Sequence, residues 1–536
     1  MIAMSFKLFC WAEKRIYQSI YTLLFMKRLT LVAGILLVGT VLVHAQRKSK
    51  QQDTLANFVI TPQQTLKKDR VELRKEILEW CEAQAKETDV KKIKAQASAA
   101  YYPGAVGEGA AVINKVVHID HRKIADDLVP IVSRLRYSGP WNDNLYTTGL
   151  YAFAGKPISI ELPASLVGKE ISIQIGSHSD NLGYWVAGKE DWRRMPLIVK
   201  KMKVTKRKFQ MASPFGGLIY IASNPKEGDW SGDIKIGGAT EAAVYVYGKT
   251  TAEDWAGQLQ RSKAPWVELT TSNIILTVPR GIVENLADPA KVMSIWDLII
   301  KGEMELAQIP LPFYRPQRMV IDEHIGGGFM HSGYPIMIHH SPSRGLLSAD
   351  IIADPTKLLI PSKGGANWGF FHEIGHNMQN LDWVFGGTTE VSCNFFSLYM
   401  FDRLLGGRDG AHSGISNETT QKMMREYFTK GANYDDWKSN PFLGLVMFRQ
   451  LQEAFGWESF KSFFRKYQAL AAADPEGSYV KGDEAKRDLW ASTFSEVTGK
   501  NIAPFFEAWG IPISSDVKAR LSKYPTWMPY NFPSSL

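Results

Sequence analysis

The feature that most constrains this chain of 536 residues is a His-Glu-x-x-His pattern at His372, Glu373 and His376. Residues four apart on an α-helix lie one turn apart on the same face, so both imidazoles can reach one metal ion, with Glu373 beside it. A catalytic zinc site has three protein ligands and one open position, so a third ligand must come from elsewhere. The pattern therefore predicts a helix here and a second element that returns to it. The alternative is a chance coincidence on an ordinary amphipathic helix.

Glu390 is the best candidate for the third ligand. Gly386-Gly387 can end the first helix and reverse the chain, so that a second helix begins near Thr388. The run at 391–400 is apolar enough to be buried, so a carboxylate in its first turn needs a partner such as a metal ion. Zn²⁺ bound to this set would lower the pKa of its bound water, and Glu373 would move the proton to the leaving amine. The residues predict a zinc peptidase.

The eight residues from His372 to Gln379, followed by Glu390, resemble the His-Glu-x-Gly-His-x-x-Gln…Glu signature of the M60-like (enhancin-like) metallopeptidases. The resemblance continues, in the same order, at residues 144–151, 175–180, 213–220 and 508–512, and so covers roughly residues 130 to 515. It implies a gluzincin-type zinc endopeptidase. Several branches of that family cleave mucin-type O-glycoproteins, which implies the same kind of substrate here.

The rest of the chain predicts an α+β multidomain protein. Short β-branched runs with Gly and Pro between them, such as residues 158–162 and 171–175, alternate as half-buried antiparallel strands do. They predict a β-sandwich-like domain at 130–262, in which the basic run from Lys200 to Lys208 is a solvated hairpin. Residues 46–129 form a polar and helical lead-in.

Residues 263–536 form the predicted catalytic domain. Two probable strands, Arg318 to Asp322 and Tyr334 to Ile338, predict a small sheet before the metal helix, whose edge strand can pair with an extended substrate. The part after Gly365 is predicted to be mainly helical, with segments Phe442 to Phe455, Trp457 to Leu470 and Ala485 to Thr498.

Residues 1–45 are predicted to be a leader and signal peptide. Met26-Lys27-Arg28, the apolar run Leu29 to Val43 and the small residue Ala45 form a secretory signal at 26–45, with cleavage after Ala45. We expect a secreted, periplasmic or cell-surface protein, with membrane attachment only if the signal is uncleaved. Met1 and Met26 are alternative translation starts.

Charge and cysteines exclude several classes of protein. Five Lys or Arg and one Glu in residues 1–45 account for +4 of the formal charge of +9, which leaves +5. With no cluster of basic and aromatic residues, the chain has no nucleic-acid partner. Cys81 and Cys393 are expected to be free and buried rather than a disulfide. The oligomeric state is not predicted.

Further side chains are candidates for substrate binding. Tyr334 and His331, in the segment before the metal helix, could stabilise an oxyanion near zinc. Trp368 lies one turn before His372, where its indole could pack on a sugar, with Asn367 and His331 as hydroxyl partners. His178 and Asp180 match a family motif and could contact glycan or fix a loop.

Three functions remain open beside a zinc endopeptidase for O-glycosylated, mucin-type glycoproteins. One is a glycan-binding or adhesin-like protein with a vestigial peptidase site, although His372, Glu373, His376 and Glu390 are all intact. A second is a general secreted zinc endopeptidase that needs no glycan. The third, a zincin aminopeptidase, lacks the Gly-Ala-Met-Glu-Asn exopeptidase signature.

Overall fold

The computed structural model describes residues 54–186, 188–286, 288–362, 365–408, 410–474, 479–530 and 532–533. Val59–Leu536 forms one compact unit, and the elements named below lie in it. The predicted leader and signal peptide, residues 1–45, lie outside the described residues. Among the described helices, none combines the length and the apolar character needed to span a bilayer.

The N-terminal part is β-rich and sandwich-like, as predicted. Its strands are ordered β5-β4-β7-β2-β8-β3-β6, and β1 also pairs with β8. The long β8 pairs with β1 and β3, and only its end pairs with β2, so β8 joins two layers whose apolar faces share one core. The strands are β1 (Ile113–His121), β2 (Asn144–Ala152), β3 (Ile158–Glu161), β4 (Ile171–Ile175), β5 (Lys200–Lys203), β6 (Lys208–Met211), β7 (Gly217–Ser223) and β8 (Trp230–Glu241).

The predicted solvated hairpin at Lys200 to Lys208 is wrong. β5 pairs with β4 and β6 pairs with β3, at opposite ends of the strand order, so the run crosses between the two layers. Lys200 is buried, and its ammonium group donates to the carbonyls of Gln84 and Glu87 at the end of the helix Val71–Lys86. The positive charge thus satisfies carbonyls that the helix leaves free.

A second, mixed sheet precedes the metal helix. Its strands are ordered β13-β14-β12-β11-β10-β9, and β13 is an edge strand antiparallel to β14. The strands are β9 (Val244–Val246), β10 (Trp266–Thr270), β11 (Ile274–Pro279), β12 (Gln317–Asp322), β13 (Met330–His331) and β14 (Ile336–His339).

Sheet membership differs from the predicted sandwich boundaries, 130–262, at both ends. β1 lies before residue 130 yet belongs to the sandwich, because its alternating residues Val117, Ile119 and His121 face the core. β9 lies before residue 262 yet pairs in parallel with β10 of the second sheet. Strand pairing over long sequence separations, which local patterns do not encode, decides both cases.

Buried ion pairs connect the sandwich to the second sheet. Arg194, in the loop before β5, donates to Asp322 at the end of β12 with an Nη2–Oδ2 distance of 2.7 Å, and neither side chain is exposed. Arg318 of β12 pairs with Glu268 of β10 and also donates to the Leu145 carbonyl of β2. These contacts fix the sandwich against the sheet beside the metal helix.

The chain after Gly365 is mainly helical, as predicted. The predicted break between Phe455 and Trp457 is present, because Gly456 has a non-helical φ of 73°. The described helices are α1 (Val71–Lys86), α2 (Val129–Ser133), α3 (Leu182–Trp185), α4 (Ala252–Arg261), α5 (Arg280–Val283), α6 (Pro289–Ala307), α7 (Ser348–Ile352), α8 (Pro355–Leu358), α9 (Ala366–Met378), α10 (Thr388–Leu405), α11 (Asn417–Thr429), α12 (Tyr434–Ser439), α13 (Pro441–Ala472), α14 (Asp483–Thr498), α15 (Ala503–Ala508) and α16 (Ser515–Leu521).

Candidate metal centre

Helix α9 carries His372, Glu373 and His376, and the surface that these residues form with the partly exposed Glu390 and His331 is called the cleft. The two imidazole centroids are 4.8 Å apart, as expected for one helical turn. Glu373 lies between them in sequence, and its Oε1 is 4.0 Å from His372 Nε2. The helix ends at Met378, eight residues before the glycine pair that was expected to end it, because Gln379 adopts an extended conformation.

Helix α10 begins at Thr388, as predicted, and brings Glu390 to the two imidazoles. Glu390 Oε2 lies 3.1 Å from His372 Nε2 and 3.6 Å from His376 Nε2. The run at 391–400 is buried, as predicted, but Glu390 itself is not, since 51% of its side chain is exposed. It lies in the first turn, where α10 faces the open cleft rather than the core. The predicted ligand set is therefore supported by the convergence of the three side chains and not by the burial of Glu390.

Gly375 explains why α10 can approach α9 so closely. A Cβ atom at this position would lie 2.8 Å from Phe396 Cβ and 3.1 Å from the Cys393 carbonyl oxygen. A larger residue would push the two helices apart, and Glu390 with them. The glycine inside the His-Glu-x-Gly-His pattern thus sets the distance between the three ligand side chains.

Two amides orient the imidazoles. Asn394 Oδ1 accepts a hydrogen bond from His372 Nδ1 at 2.8 Å, and Gln379 Oε1 accepts one from His376 Nδ1 at 2.9 Å. Each contact places the proton on Nδ1 and leaves the Nε2 lone pair for a metal ion. Sequence analysis missed the role of Asn394, although its position one turn after Glu390, as a polar residue within an apolar run, is a usable signal.

The electrostatics of the cleft favour a bound cation. Hydrogen bonds from His372 and His376 hold the pKa of the Glu390 carboxyl well below its usual range. Burial raises the pKa of the Glu373 carboxyl, although the nearby imidazoles oppose that effect. Glu390 is therefore ionised at neutral pH, which is the form that binds metal, and Glu373 is the stronger base of the two.

Cys393 lies at the site but does not extend the ligand set. Its Sγ is 3.4 Å from Nδ1 and 3.3 Å from Nε2 of His372. Nearly equal distances to both ring nitrogens place the sulfur over the face of the imidazole, away from the direction of the Nε2 lone pair. As predicted, Cys393 and Cys81 are free and buried. Two imidazoles and one carboxylate remain, and this donor set fits catalytic zinc.

His331 and Asp180 form a pair at the edge of the cleft. His331 Nε2 lies 2.8 Å from Asp180 Oδ2, and 37% of the His331 side chain is exposed. Burial opposes protonation of His331, but the hydrogen bond and charge of Asp180 outweigh it and raise its pKa. The charge of His331 in turn lowers the pKa of Glu373.

The structure contradicts a glycan-facing role for Trp368 and Asn367. Trp368 is 4% exposed, packs on Phe401 and donates from Nε1 to Asn394 Oδ1 at 2.9 Å. Asn367 is fully buried and bonds to Ser362, which closes the turn before α9. Trp368 therefore packs between α9 and α10, and Asn367 holds the segment that precedes α9. Trp368 instead helps to hold Asn394 against His372.

Tyr334 and His178 also lie away from the cleft. The Tyr334 ring lies under the Arg315 guanidinium at 3.7 Å, and its hydroxyl faces the backbone N–H of Leu145 in the sandwich. His178 is 2% exposed, and its ring packs against Trp266 at 4.6 Å. Neither side chain can contact substrate in this arrangement. Aromatic packing at the junction with the sandwich accounts for both.

Tyr137 is a cleft residue that sequence analysis missed. It lies in a single 3₁₀ turn, Arg136–Ser138, just before the sandwich strand β2, and its ring centroid is 5.6 Å from that of His376. The side chain is half-buried. No local pattern connects this residue with a helix more than 200 residues later, so only the fold identifies it.

Comparison with known proteins gives relatives over most of the chain. A TRPM8 channel-associated factor homolog from Xenopus laevis is 36% identical over 410 residues, which is 76% of this chain and 43% of the relative. TRPM8 channel-associated factor 2 from Homo sapiens is 36% identical over 74% of this chain and 41% of the relative. The chain therefore spans about two fifths of the length of these relatives.

Solved structures share the fold at low sequence identity. A conserved protein of unknown function from Bacillus anthracis str. Ames has a TM-score of 0.60 and 21% identity, over 78% of this chain and 80% of that one. The M60 catalytic domain of Clostridium perfringens ZmpC, in complex with the sialyl T antigen, has a TM-score of 0.55 and 16% identity, over 77% and 80%. The IMPa metallopeptidase in complex with T-antigen has a TM-score of 0.55 and 15% identity, over 85% and 59%.

Family models cover both halves of the described fold. The N-terminal domain of M60-like peptidases matches residues 133–236, which include most of the sandwich. The model for peptidase M60, enhancin and enhancin-like proteins matches residues 238–510, which include the second sheet and all residues of the metal centre on α9 and α10. The second match alone covers half of the chain, so this chain belongs to the peptidase M60 family of enhancin and enhancin-like metallopeptidases.

Proposed function

We propose that this chain is a secreted, zinc-dependent endopeptidase that hydrolyses peptide bonds in O-glycosylated, mucin-type glycoproteins. The observation that carries the proposal is the convergence of His372 Nε2, His376 Nε2 and Glu390 Oε2, with Glu373 beside them in an open cleft. Membership of a metallopeptidase family supports the same chemistry.

Zinc is the metal that we propose for this site. Two imidazoles with occupied Nδ1 atoms and one carboxylate form a three-ligand set of the kind that catalytic zinc uses, whereas Mg²⁺ and Ca²⁺ prefer oxygen ligands. When bound, zinc polarises a scissile carbonyl and lowers the pKa of the attacking water.

Glu373 is the proposed general base. Burial raises the pKa of its carboxyl, which makes it a better proton acceptor than an exposed glutamate. It would take a proton from the attacking water and then give a proton to the nitrogen of the leaving amine. Since Glu373 lies next to the imidazoles and not within the ligand set, its substitution should spare metal binding.

His331 is the proposed donor to the oxyanion of the transition state. Its pairing with Asp180 favours the protonated ring, and its charge acts on Glu373 across the cleft. An imidazolium aimed at developing negative charge stabilises the transition state more than the substrate. Tyr137, beside His376, is the other side chain placed to contact the reacting group.

Two observations support an O-glycosylated substrate. The M60 domain of ZmpC and the IMPa metallopeptidase, which share this fold, were solved with the sialyl T antigen and with T-antigen respectively. Because Trp368 is buried here, a sugar would have to contact other cleft residues. The predicted secretory signal at 26–45 would direct export to where such glycoproteins occur.

A non-catalytic binding protein is the second candidate. The observation that favours it is the 36% identity to proteins named TRPM8 channel-associated factors, names that describe an association with a channel and not a hydrolysis. In that case the metal centre would have a structural role, and Glu373→Gln would change no measured activity.

The test compares wild-type protein with Glu373→Gln on an O-glycosylated mucin, on the same mucin after enzymatic O-glycan removal, and on casein, with products read by mass spectrometry. We expect the wild type to cut next to glycosylated Ser or Thr, and to cut neither the stripped mucin nor casein. Equal rates on the two mucin forms would leave a general zinc endopeptidase. No cleavage by zinc-loaded wild type would favour the non-catalytic candidate.

A further inference from the structure

An apolar cavity of about 620 Å³ lies beside the metal helix. Two of its apolar side chains are unusually exposed for their size, Leu347 at 46% and Ile360 at 50%. Asp350 and Lys357 also line the cavity. Exposed apolar side chains that cluster around one cavity indicate an apolar partner. The apolar lining residues are Phe329, Leu346, Leu347, Ile351, Ile360, Pro361 and Ala366.

Two elements that line the cavity lead on to the metal centre. Ala366, which lines the cavity, is six residues before His372 on α9, a rise of about 9 Å. Phe329, also in the lining, is two residues before His331, which is about 7 Å along a strand. The helix and the strand lie against each other, because a Cβ at Gly369 would be 3.2 Å from Met330 Sδ. The helix and the strand therefore both connect the reacting groups with the same cavity.

Strand β13 fixes the direction in which a substrate would run. It is an edge strand of the second sheet in the described part of the chain. It runs along α9 towards His376, since Met330 faces Gly369 and the N–H of Gly333, just beyond the strand, donates to Asn377 Oδ1 at 3.0 Å. An extended peptide that adds antiparallel to this edge runs the opposite way, from Glu373 towards the cavity. The residues after the cleaved bond therefore reach the cavity. A distance of 7 to 9 Å corresponds to about two to three residues of extended chain.

We propose that this cavity binds an apolar side chain of the substrate, two to three residues to the C-terminal side of the bond that is cut. The inference rests on the proposed peptidase function and adds a peptide preference to it. Most of its walls are aliphatic or aromatic, which favours an apolar side chain as the group bound there. The proposed substrate is then a glycoprotein segment that has an aliphatic residue shortly after the bond that is cut.

The test uses glycopeptides that share one cleavage site and differ only by Leu or Ser at single positions, from three before to four after the bond. The ratio of kcat/KM for Leu over Ser is measured for wild type, Leu347→Ser and Ile360→Ser. Binding of the same peptides to zinc-loaded Glu373→Gln is measured in parallel. Leu298→Ser is the matched control, since Leu298 is 50% exposed and lies on α6, outside the cavity.

In the wild type we expect a preference for Leu of about tenfold at the second or third position after the bond, and little preference elsewhere. The preference should fall to below about threefold in Leu347→Ser and Ile360→Ser and remain in Leu298→Ser. A preference at a position before the bond, or one that both cavity variants retain, would overturn the inference while leaving the peptidase intact. Peptides that bind Glu373→Gln with the Leu preference but are never cut by wild type would uphold the cavity and refute the peptidase. Absence of both binding and cleavage would refute both.

Discussion

At the junction between the sandwich and the second sheet, Arg194 and Asp322 satisfy each other, with neither side chain exposed, whereas at the metal centre His372, His376 and Glu390 converge on one point of an open cleft. Both regions take charged groups out of bulk water, which costs free energy. At the junction the opposite charge and neighbouring carbonyls offset the cost. At the metal centre the Nε2 atoms of both imidazoles converge on the Glu390 carboxylate, and a cation bound between them would offset it.

The comparison distinguishes charged groups that stabilise the fold from charged groups that are available to bind a metal ion or to react. A substitution at the junction should reduce stability without a specific effect on chemistry. A substitution at the metal centre should change chemistry or metal affinity with little effect on stability. The following predictions test that separation, from the largest expected effect to the smallest.

Glu373→Gln should reduce kcat/KM by between about 100-fold and 10,000-fold, because the amide cannot accept the proton of the attacking water. Metal content and the unfolding midpoint should match the wild type, since Glu373 is not in the ligand set. Activity and metal content are measured on the same preparation. A variant that keeps a tenth or more of the wild-type rate would exclude Glu373 as the base.

Asp322→Ala should lower the free energy of unfolding by about 3–5 kcal/mol, because it leaves Arg194 buried without its partner. Denaturant unfolding measures the change. The control is Asp229→Ala, which removes an exposed partner of Arg122 and should cost far less. If the two losses were equal, the junction pair would not hold the fold as described.

Asn394→Ala should weaken metal binding by about 10-fold to 100-fold, because His372 would lose the acceptor that keeps its proton on Nδ1. Asn394→Asp, which still accepts from Nδ1, should restore most of the affinity. Competition with a chelator measures both. An unchanged affinity in Asn394→Ala would mean that the packing of the helix pair alone orients the imidazole.

Asp180→Asn should shift the alkaline limb of the pH profile of kcat/KM to lower pH. Asp180 raises the pKa of His331, so the protonated donor is present below that pKa and is lost as the pH rises through it. Without the carboxylate the loss begins at a lower pH. His331→Gln, which donates a hydrogen bond without titrating, should lack this limb altogether. A limb that persists in His331→Gln belongs to another group.

Much of the site could be predicted because helical spacing is local. The positions of His372, Glu373 and His376, and the start of α10 before Glu390, follow from residues within a few turns of one another. Gly456 likewise predicted the break in α13. In these cases the sequence pattern and the physical cause lie in the same short segment.

The errors have a common cause, which is that burial and strand pairing depend on distant residues. Trp368 faces the core because its indole donates to Asn394 and packs on Phe401, both of which lie on the next helix. β5 and β6 separate because each pairs with a strand more than 20 residues away. Tyr137 reaches His376 only through the packing of the sandwich against the helices. No window of the sequence contains both partners of these contacts.

The central claim is that His372, His376 and Glu390 hold one zinc ion. It is tested most directly by the metal content and zinc affinity of the wild type and of Glu390→Ala, purified and dialysed side by side. We expect one zinc per chain in the wild type. In Glu390→Ala that remains folded, we expect a large loss of zinc affinity. Stoichiometric zinc with unchanged affinity in Glu390→Ala would contradict it and place the third ligand elsewhere.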